Sequence, residues 1–416
     1  MKVPPESACP ELACPELAEA AAAPSTPCEN AAVRSRLPRL LVALAAAALV
    51  VSACGGADSQ DTSGAEPASA PVPETTEAPP ASTTSGDIVE DTAGSDLLQT
   101  VQERGWLVCG VSGTRVIFSE TRPDGSVVGV DADYCRVVAA AVFGDANAVE
   151  FVSLTTGERF AALQAGQIDV LIRSTTWTQS RDTAVGLDFG PVIYYDGQQL
   201  MAKADDGYSP SSQVADLAGA VVCALAGTTT EQNVSDAADA AGIDITLTTL
   251  EDFDAITENF IQGACDAVTA DGSALAGRKA KQQPDDQEWV IFPATPISKE
   301  PLAPVYPQNQ SRFADVVNWA VYATIIADEK GITQANVDAM AADPPDAEAA
   351  RLLGASDDEQ QSSMGLAPDA FYQAISQVGN YGEILTRHLE PAGLTRAGTI
   401  NAGWLDGGLI YAPPAR

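Results

Sequence analysis

The sequence carries a single histidine, His388, in 416 residues. That argues against a hydrolase built on a His-activated nucleophile and excludes a histidine-rich metal site. Basic side chains are scarce as well: 22 Lys and Arg stand against 57 Asp and Glu, a formal net charge of -35. A surface that grips nucleic acid needs basic patches over the phosphates, so no nucleic-acid partner is expected. The acid excess speaks to solubility rather than to a site, and reads as the solvated face of an exported protein. None of the eight cysteines has the C-x-x-C spacing of a zinc site or a thioredoxin-type redox motif. No cofactor, metal or catalytic group is indicated, and no long internal repeat is present. The apolar run at residues 40–51 is short against the ~20 residues that span a bilayer.

What the chain does have begins with that apolar run. Arg34, Arg36 and Arg39 precede it, and it ends in Val51-Ser52-Ala53-Cys54 followed by Gly55-Gly56. A basic start, a short apolar stretch and small residues before Cys resemble the lipobox of bacterial lipoproteins. Cys54 is then the lipidated N-terminus, and residues 1–53, a signal region with an N-terminal extension, are removed. Residues 55–95 hold almost no large apolar side chain and cannot bury enough surface to offset their ordering entropy. They read as a flexible tether between membrane and domain. Cys9, Cys14 and Cys28 lie ahead of the apolar run, whereas Cys109, Cys135, Cys223 and Cys265 lie in the folded part. In an exported chain these last four read as two disulfides.

From residue 96 strand and helix signals alternate. Strands are expected at residues 106–111, 149–154 and 168–172, with helices at 133–143 and 156–164. On the first helix Tyr134, Val137, Val138 and Ala141 share a face. A second series follows, with strands at 220–225, 245–247 and 266–269. Helical patterns return at 311–329 and after Asp369. Two βα series, in a chain that is 45% hydrophobic, point to two α/β lobes.

Seven segments then appear in a fixed order. They are Gly129-Val130-Asp131-Ala132-Asp133-Tyr134-Cys135-Arg136, Arg159-Phe160-Ala161-Ala162-Leu163-Gln164-Ala165-Gly166, and Ile168-Asp169-Val170-Leu171 with Ser174-Thr175-Thr176-Trp177-Thr178 and Arg181. Next come Gly227-Thr228-Thr229-Thr230-Glu231, Ile297-Ser298-Lys299-Glu300-Pro301-Leu302, Val378-Gly379-Asn380-Tyr381-Gly382-Glu383, and Gly407-Gly408-Leu409-Ile410-Tyr411-Ala412-Pro413-Pro414. Together they resemble the amino-acid-binding proteins of ABC importers (solute-binding protein family 3), and within it the general L-amino-acid branch. The resemblance implies an α/β, two-lobed fold like that of the type II periplasmic binding proteins, with two hinge strands and a C-terminal helical extension. Lobe 1 would take residues 96–195 and 301–345, lobe 2 residues 196–300, and the extension, packed on lobe 1, residues 346–416. The chain would cross between lobes near residues 194–199 and return near 299–304. The same resemblance pairs Cys109 with Cys135 and Cys223 with Cys265.

A free amino acid carries a carboxylate and an ammonium on one carbon, so its captor needs a rigid donor and an acceptor. The family pattern gives these roles to Arg181, which can grip a carboxylate through two parallel hydrogen bonds, and to Asp271. The bland alternatives are a surface Arg181 paired with Asp182 and an Asp271 that caps a helix. Ser174 and Thr176 fall in the family's loop after the third strand. Thr228 and Thr229 open a helix, where free N–H groups favour an anion, although capping chemistry explains such residues equally well. The aromatic that covers the ligand in narrower members falls on Arg115, expected either to draw an acidic ligand side chain or to cover the pocket with its stem. Arg173 begins the Ser loop and is expected to offer only its backbone carbonyl. Phe118, Trp177, Tyr194 and Tyr195 either line the pocket or belong to the core.

The implied protein is a monomer, exported and lipid-anchored at the cell surface or in the periplasm. It would hand a free L-amino acid to the permease subunits of an ABC importer and would not be an enzyme. Two other readings compete. Some relatives of this fold dehydrate cyclic carboxylic acids or cleave peptidoglycan through an acid residue, for which Glu231 is a candidate. Others sense a ligand for a membrane receptor.

Overall fold

The computed structural model describes residues 96–416. The tether and the export segment, Cys54 included, lie outside the described residues. Two sheets organise the chain, and each has the same design. In the first, strands Val149–Ser153, Leu107–Val111 and Val170–Leu171 run parallel, and Val305–Pro307 and Leu187–Phe189 complete the sheet antiparallel to their neighbours. In the second, Thr246–Leu250, Val221–Leu225 and Ala267–Asp271 are parallel, and Gln198–Lys203 and Trp289–Phe292 follow antiparallel. Central strands covered by helices on both faces can be apolar throughout, as Leu107–Val111 is. In the second sheet alternate residues feed separate cores. Met201 and Cys223 pack on one face, and Leu200, Ala202 and Val222 on the other. The repeat of design between lobes leaves no repeat in the sequence, because any residues of suitable size and polarity satisfy it.

Two short strands join the lobes. Tyr194–Asp196 pairs antiparallel with Glu300–Leu302, in the register Glu300 to Asp196 and Leu302 to Tyr194. Disulfides link Cys109 to Cys135 in the first lobe and Cys223 to Cys265 in the second. They close intervals of 26 and 42 residues, each worth about 3–4 kcal/mol in the chain-entropy view.

The helix Val130–Phe143 departs from the amphipathic expectation, for it is buried on nearly every side. One side faces the first sheet. The other is covered by Ala370–Val378, Tyr381–Leu389 and the 19-residue helix Ser311–Glu329. Its Val-Val-Ala-Ala-Ala-Val-Phe run is the sequence trace of that second cover. The covering helices are fastened at their ends. Asn380 and Glu383 form a reciprocal capping box, and Arg387 and His388 both reach the buried Asp133, at 2.6 and 2.7 Å. Burial opposes ionisation of Asp133, but the bond from His388 and the nearby guanidinium groups outweigh it and hold the carboxyl below its ordinary range. The lone histidine is thus a fastener of the C-terminal helices. Among the described residues no helix is long and apolar enough to cross a membrane.

Candidate functional site

Both sheets present the C-terminal ends of their parallel strands to one cleft, the place where open α/β sheets bind ligands. In the first lobe the chain leaves Val170–Leu171 and turns at Ser174, whose φ is +43°. A non-glycine residue in that region needs support, and a buried carboxylate gives it. Ser174 Oγ donates to Asp131 Oδ2 at 3.0 Å, from the first turn of the helix Val130–Phe143. Burial first, against the help of Ser174, Arg115 and Arg173, pushes the Asp131 carboxyl up to about 6. The next residues are stitched to the return strand: Trp177 N–H donates to Pro301, and Ala303 N–H to Thr175.

Arg181 sits on the short helix Gln179–Ala184, capped by Thr178. Its Nη1 donates to the Thr176 carbonyl at 2.8 Å, and the guanidinium lies 5.6 Å from the Phe160 ring centre. It turns into the cleft and forms no ion pair with Asp182, so the bland surface reading does not describe it. Burial draws its pKa down, opposed by Glu300 and Asp271.

From the second lobe, the helix Thr229–Ala241 aims its N-terminus at the cleft. Thr228 is its cap, accepting from Glu231 N–H at 3.1 Å, so its hydroxyl does the bland work. Asp271 does not. The strand Ala267–Asp271 runs through to it, opposite Gln198, and the following helix takes no bond from its side chain. The carboxylate faces the cleft and meets Arg115 Nη2 of the other lobe at 2.8 Å, with both side chains nearly buried. Burial chiefly, then Asp196 and Glu300, push the Asp271 carboxyl up to about 7 against the pull of Arg115 and Arg181.

The structure therefore brings Arg115, Ser174, Thr176, Arg181, Thr228, Thr229 and Asp271 to one cleft. Arg173 is not among its lining residues. Its guanidinium donates to the Leu154 carbonyl at 2.9 Å and to Thr156 Oγ1 at 3.2 Å, away from the cleft. Burial first, and then the charge of Arg115, lower its pKa to about 9. None of Phe118, Trp177, Tyr194 and Tyr195 lines the cleft; Phe118 and Tyr194 pack edge to face in the core, and Trp177 stacks on Phe189. The aromatic wall is Phe253, from lobe 2, under the Arg115 guanidinium at 5.8 Å.

Two residues escape a reading of the sequence alone. Arg159, in the helix Arg159–Gln164, lines the cleft and is buried. Glu300, in the return strand, is buried and accepts four side-chain donors. Thr176 and Thr229 bond Oε2 at 2.6 and 2.9 Å; Asn233 and Ser298 bond Oε1 at 3.1 and 2.5 Å. It ties the loop that carries Thr176 in one lobe to the helix start of the other. Arg278, which donates to the Thr114 carbonyl, and Lys281, which pairs with Glu120, also link the lobes at the rim.

Two lobes around a cleft lined by guanidinium groups, a buried carboxylate and a helix N-terminus define a binding protein for a small polar solute. The chain belongs to the bacterial extracellular solute-binding proteins, family 3, whose profile matches residues 107–330. It is 40% identical over 332 residues to a glutamate/glutamine/aspartate/asparagine-binding protein of Rhodobacter capsulatus, a match covering 79% of this chain and 96% of that one. It is also 40% identical to a general L-amino acid-binding periplasmic protein of Rhizobium johnstonii, over 78% of this chain and 94% of that one. A solved periplasmic binding protein of an ABC transporter from Brucella ovis, with glutathione bound, superimposes with a TM-score of 0.73 at 42% identity, covering 78% of this chain and all of that one. These relatives are binding proteins, not enzymes.

Proposed function

We propose that this protein captures free L-amino acids outside the cytoplasmic membrane, between its two lobes, and passes them to the permease subunits of an ABC importer without chemical change. The observation that carries the reading is the placement of a half-buried Arg181 and a buried Asp271 in one cleft, each turned away from its bland role. A zwitterion laid between them meets a cation at its carboxylate and an anion at its ammonium, in a water-poor space where such pairs are strong. Thr229 and the amides opening its helix add donors at the carboxylate end. The lobes close over the ligand about the paired strands Tyr194–Asp196 and Glu300–Leu302. The names of the relatives from Rhodobacter capsulatus and Rhizobium johnstonii support the same ligand class.

The enzymatic alternative gains nothing from its candidate. Glu231 is not among the cleft-lining residues and accepts the Gly227 amide at 2.7 Å. Calorimetric titration of the protein with each of the twenty L-amino acids tests the proposal. One-to-one binding of several of them is expected, and no binding of any would overturn it.

The protein is held at the membrane through a lipid on Cys54 and works as a monomer. The Arg-flanked apolar stretch ending in Val51-Ser52-Ala53-Cys54 motivates the anchor. In cells fed a radiolabelled fatty acid, the wild-type chain is expected to take up label and Cys54→Ala to lose it, with release to the medium or periplasm. Label retained by the variant would refute the anchor; sedimentation of the detergent-solubilised protein tests the monomer.

A further inference from the structure

Of the 416 residues 57 are Asp or Glu, yet residues 391–416 hold a single acid, Asp406, beside Arg396 and Arg416. Arg396 is matched by Asp328 at 2.8 Å, so the segment adds little net charge of either sign. The apolar count runs the other way. Among the described residues seven large hydrophobic side chains are exposed, and five of them lie here: Ile400, Trp404, Leu405, Leu409 and Tyr411. They form one face. The Leu409 N–H donates to the Ile400 carbonyl at 2.8 Å, and the Trp404 and Tyr411 rings meet edge to face at 5.6 Å. Ile410 and Ala412 alternate with them and point into the core of the first lobe, which roots the segment. A side-chain carbon at Gly408 would collide with the Ala402 carbonyl, so the close return of the chain depends on glycine there. Leu405 stands at the tip, 68% exposed. A contiguous apolar face on an otherwise acidic protein marks a site of interaction.

We propose that this face docks on a lipid bilayer, with the Trp404, Leu405, Leu409 and Tyr411 side chains set in its headgroup layer. Three observations select lipid over a protein partner. Tryptophan and tyrosine among aliphatic side chains are the composition that settles at a membrane–water boundary. The backbone is already satisfied: of the seven residues 404–410, six donate their amide N–H to a carbonyl of the same segment. Lipid demands that, whereas a protein interface usually offers polar groups to its partner. Third, residues 54–95 separate Cys54 from the first helix, Leu97–Arg104, and a chain of that length reaches at most about 150 Å. A lipid on Cys54 would thus keep the face close to the bilayer, where a weak affinity acts as an intramolecular one. Asp406, the one acid of the tip, limits the contact to the headgroup depth. The inference goes beyond amino-acid capture and assigns a role to the C-terminal segment.

The test is flotation of the unlipidated full chain, Cys54→Ala, with vesicles of phosphatidylethanolamine and phosphatidylglycerol in equal parts. The chain is expected to float with the vesicles, and more of it as salt rises from about 0.05 to 0.5 M. Salt screens the repulsion between an acidic protein and an anionic surface, whereas it would weaken attachment through basic side chains. Adding Leu405→Ser and Leu409→Ser is expected to lower the partition coefficient at least about tenfold. Both leucines are more than half exposed, so the melting temperature is expected to hold. Lipids brominated on the acyl chain are expected to quench tryptophan emission in Cys54→Ala and to lose that effect when Trp404→Phe is added. No flotation at any salt, flotation indifferent to the two serines, or quenching that survives Trp404→Phe overturns the proposal. So does flotation only with vesicles that carry the permease, which makes the face a protein interface, or self-association in sedimentation that the serines abolish. The lipid anchor takes no part in this measurement, so failure of Cys54 labelling and failure of flotation are separate results.

Discussion

Arg181→Ala is expected to weaken the binding of every amino-acid ligand by about a hundredfold to a thousandfold, the cost of truncating one partner of a buried, hydrogen-bonded charge pair. Uniformity is the diagnostic part. The α-carboxylate is common to all candidate ligands, so a residue that holds it lowers affinity across the whole set, whereas a residue that reads the side chain changes ratios. Arg181 also donates to the Thr176 carbonyl, so the substitution could loosen the loop that carries Ser174 and Thr176. Arg181→Lys separates the two effects. Lysine keeps the charge but cannot reproduce the planar two-bond grip, and intermediate affinity is expected. Titration of five ligands of different side chain, with a thermal melt of each variant, makes the measurement. A loss below about tenfold, or a loss confined to one ligand, would show that Arg181 is not the carboxylate partner.

The second large effect is in pH. Asp271 must be ionised to pair with an ammonium group, yet burial, with Asp196 and Glu300 nearby, raises its carboxyl to about 7. A bound ammonium stabilises the carboxylate and lowers that value, so binding expels a proton below about pH 7. Affinity is therefore full above pH 7 and falls as pH drops below it, by as much as tenfold per unit. Stability runs the other way. The folded carboxyl titrates near 7 and the unfolded one near the ordinary 3.8, so the folded state holds the extra proton between them. The contribution of Asp271 to stability is present at acid pH and is lost as pH rises towards 7, and Asp131, raised to about 6, adds in the same direction. Titrations and ligand-free melts at pH 5, 6, 7 and 8 check both trends. Asp271→Asn is expected to bind about a hundredfold more weakly at pH 8 and to lose most of the pH dependence of affinity. A wild-type affinity flat from pH 5 to 8 would remove Asp271 from the ammonium site.

The cleft positions of these two residues were legible only through the family resemblance, which places Arg181 after the Ser/Thr loop and Asp271 at the end of a strand. Even so, the cap reading of Asp271 could be set aside only by seeing the strand continue to it opposite Gln198. Arg159 stands in one of the seven segments, yet its sequence context does not mark it as a cleft residue. An arginine beside Glu158 at the start of a short helix looks like surface, and nothing in its spacing tells that the cleft closes over it. Glu300 was hidden for a different reason. Its four donors stand 2, 67, 71 and 124 residues away, so no local pattern could announce a buried carboxylate there. Arg173 shows the converse, a cation in the right loop whose side chain turns back to Leu154 and Thr156. The full burial of the helix Val130–Phe143 was written in its composition, but its second cover comes from helices more than 180 residues further on, beyond what periodicity can reach.

The C-terminal segment has a reach beyond its packing on the first lobe. In the hinge strand, Tyr195 faces Pro301, and its amide and carbonyl point away from that partner. The buried Asn401 takes both, accepting from the Tyr195 N–H at 2.7 Å and donating to its carbonyl at 2.9 Å. Tyr381 adds a bond from its hydroxyl to the Ile193 carbonyl just before the crossing, at 3.2 Å. The strand that joins the lobes is thus braced by side chains that are not among the cleft-lining residues. A binding protein's dissociation constant contains the work of bending its hinge as well as the energy of its contacts. Here that work is set partly by residues outside the cleft. Lineages could accordingly retune the concentration range over which the protein scavenges, by changes around Asn401 and Tyr381, while leaving the choice of solute untouched.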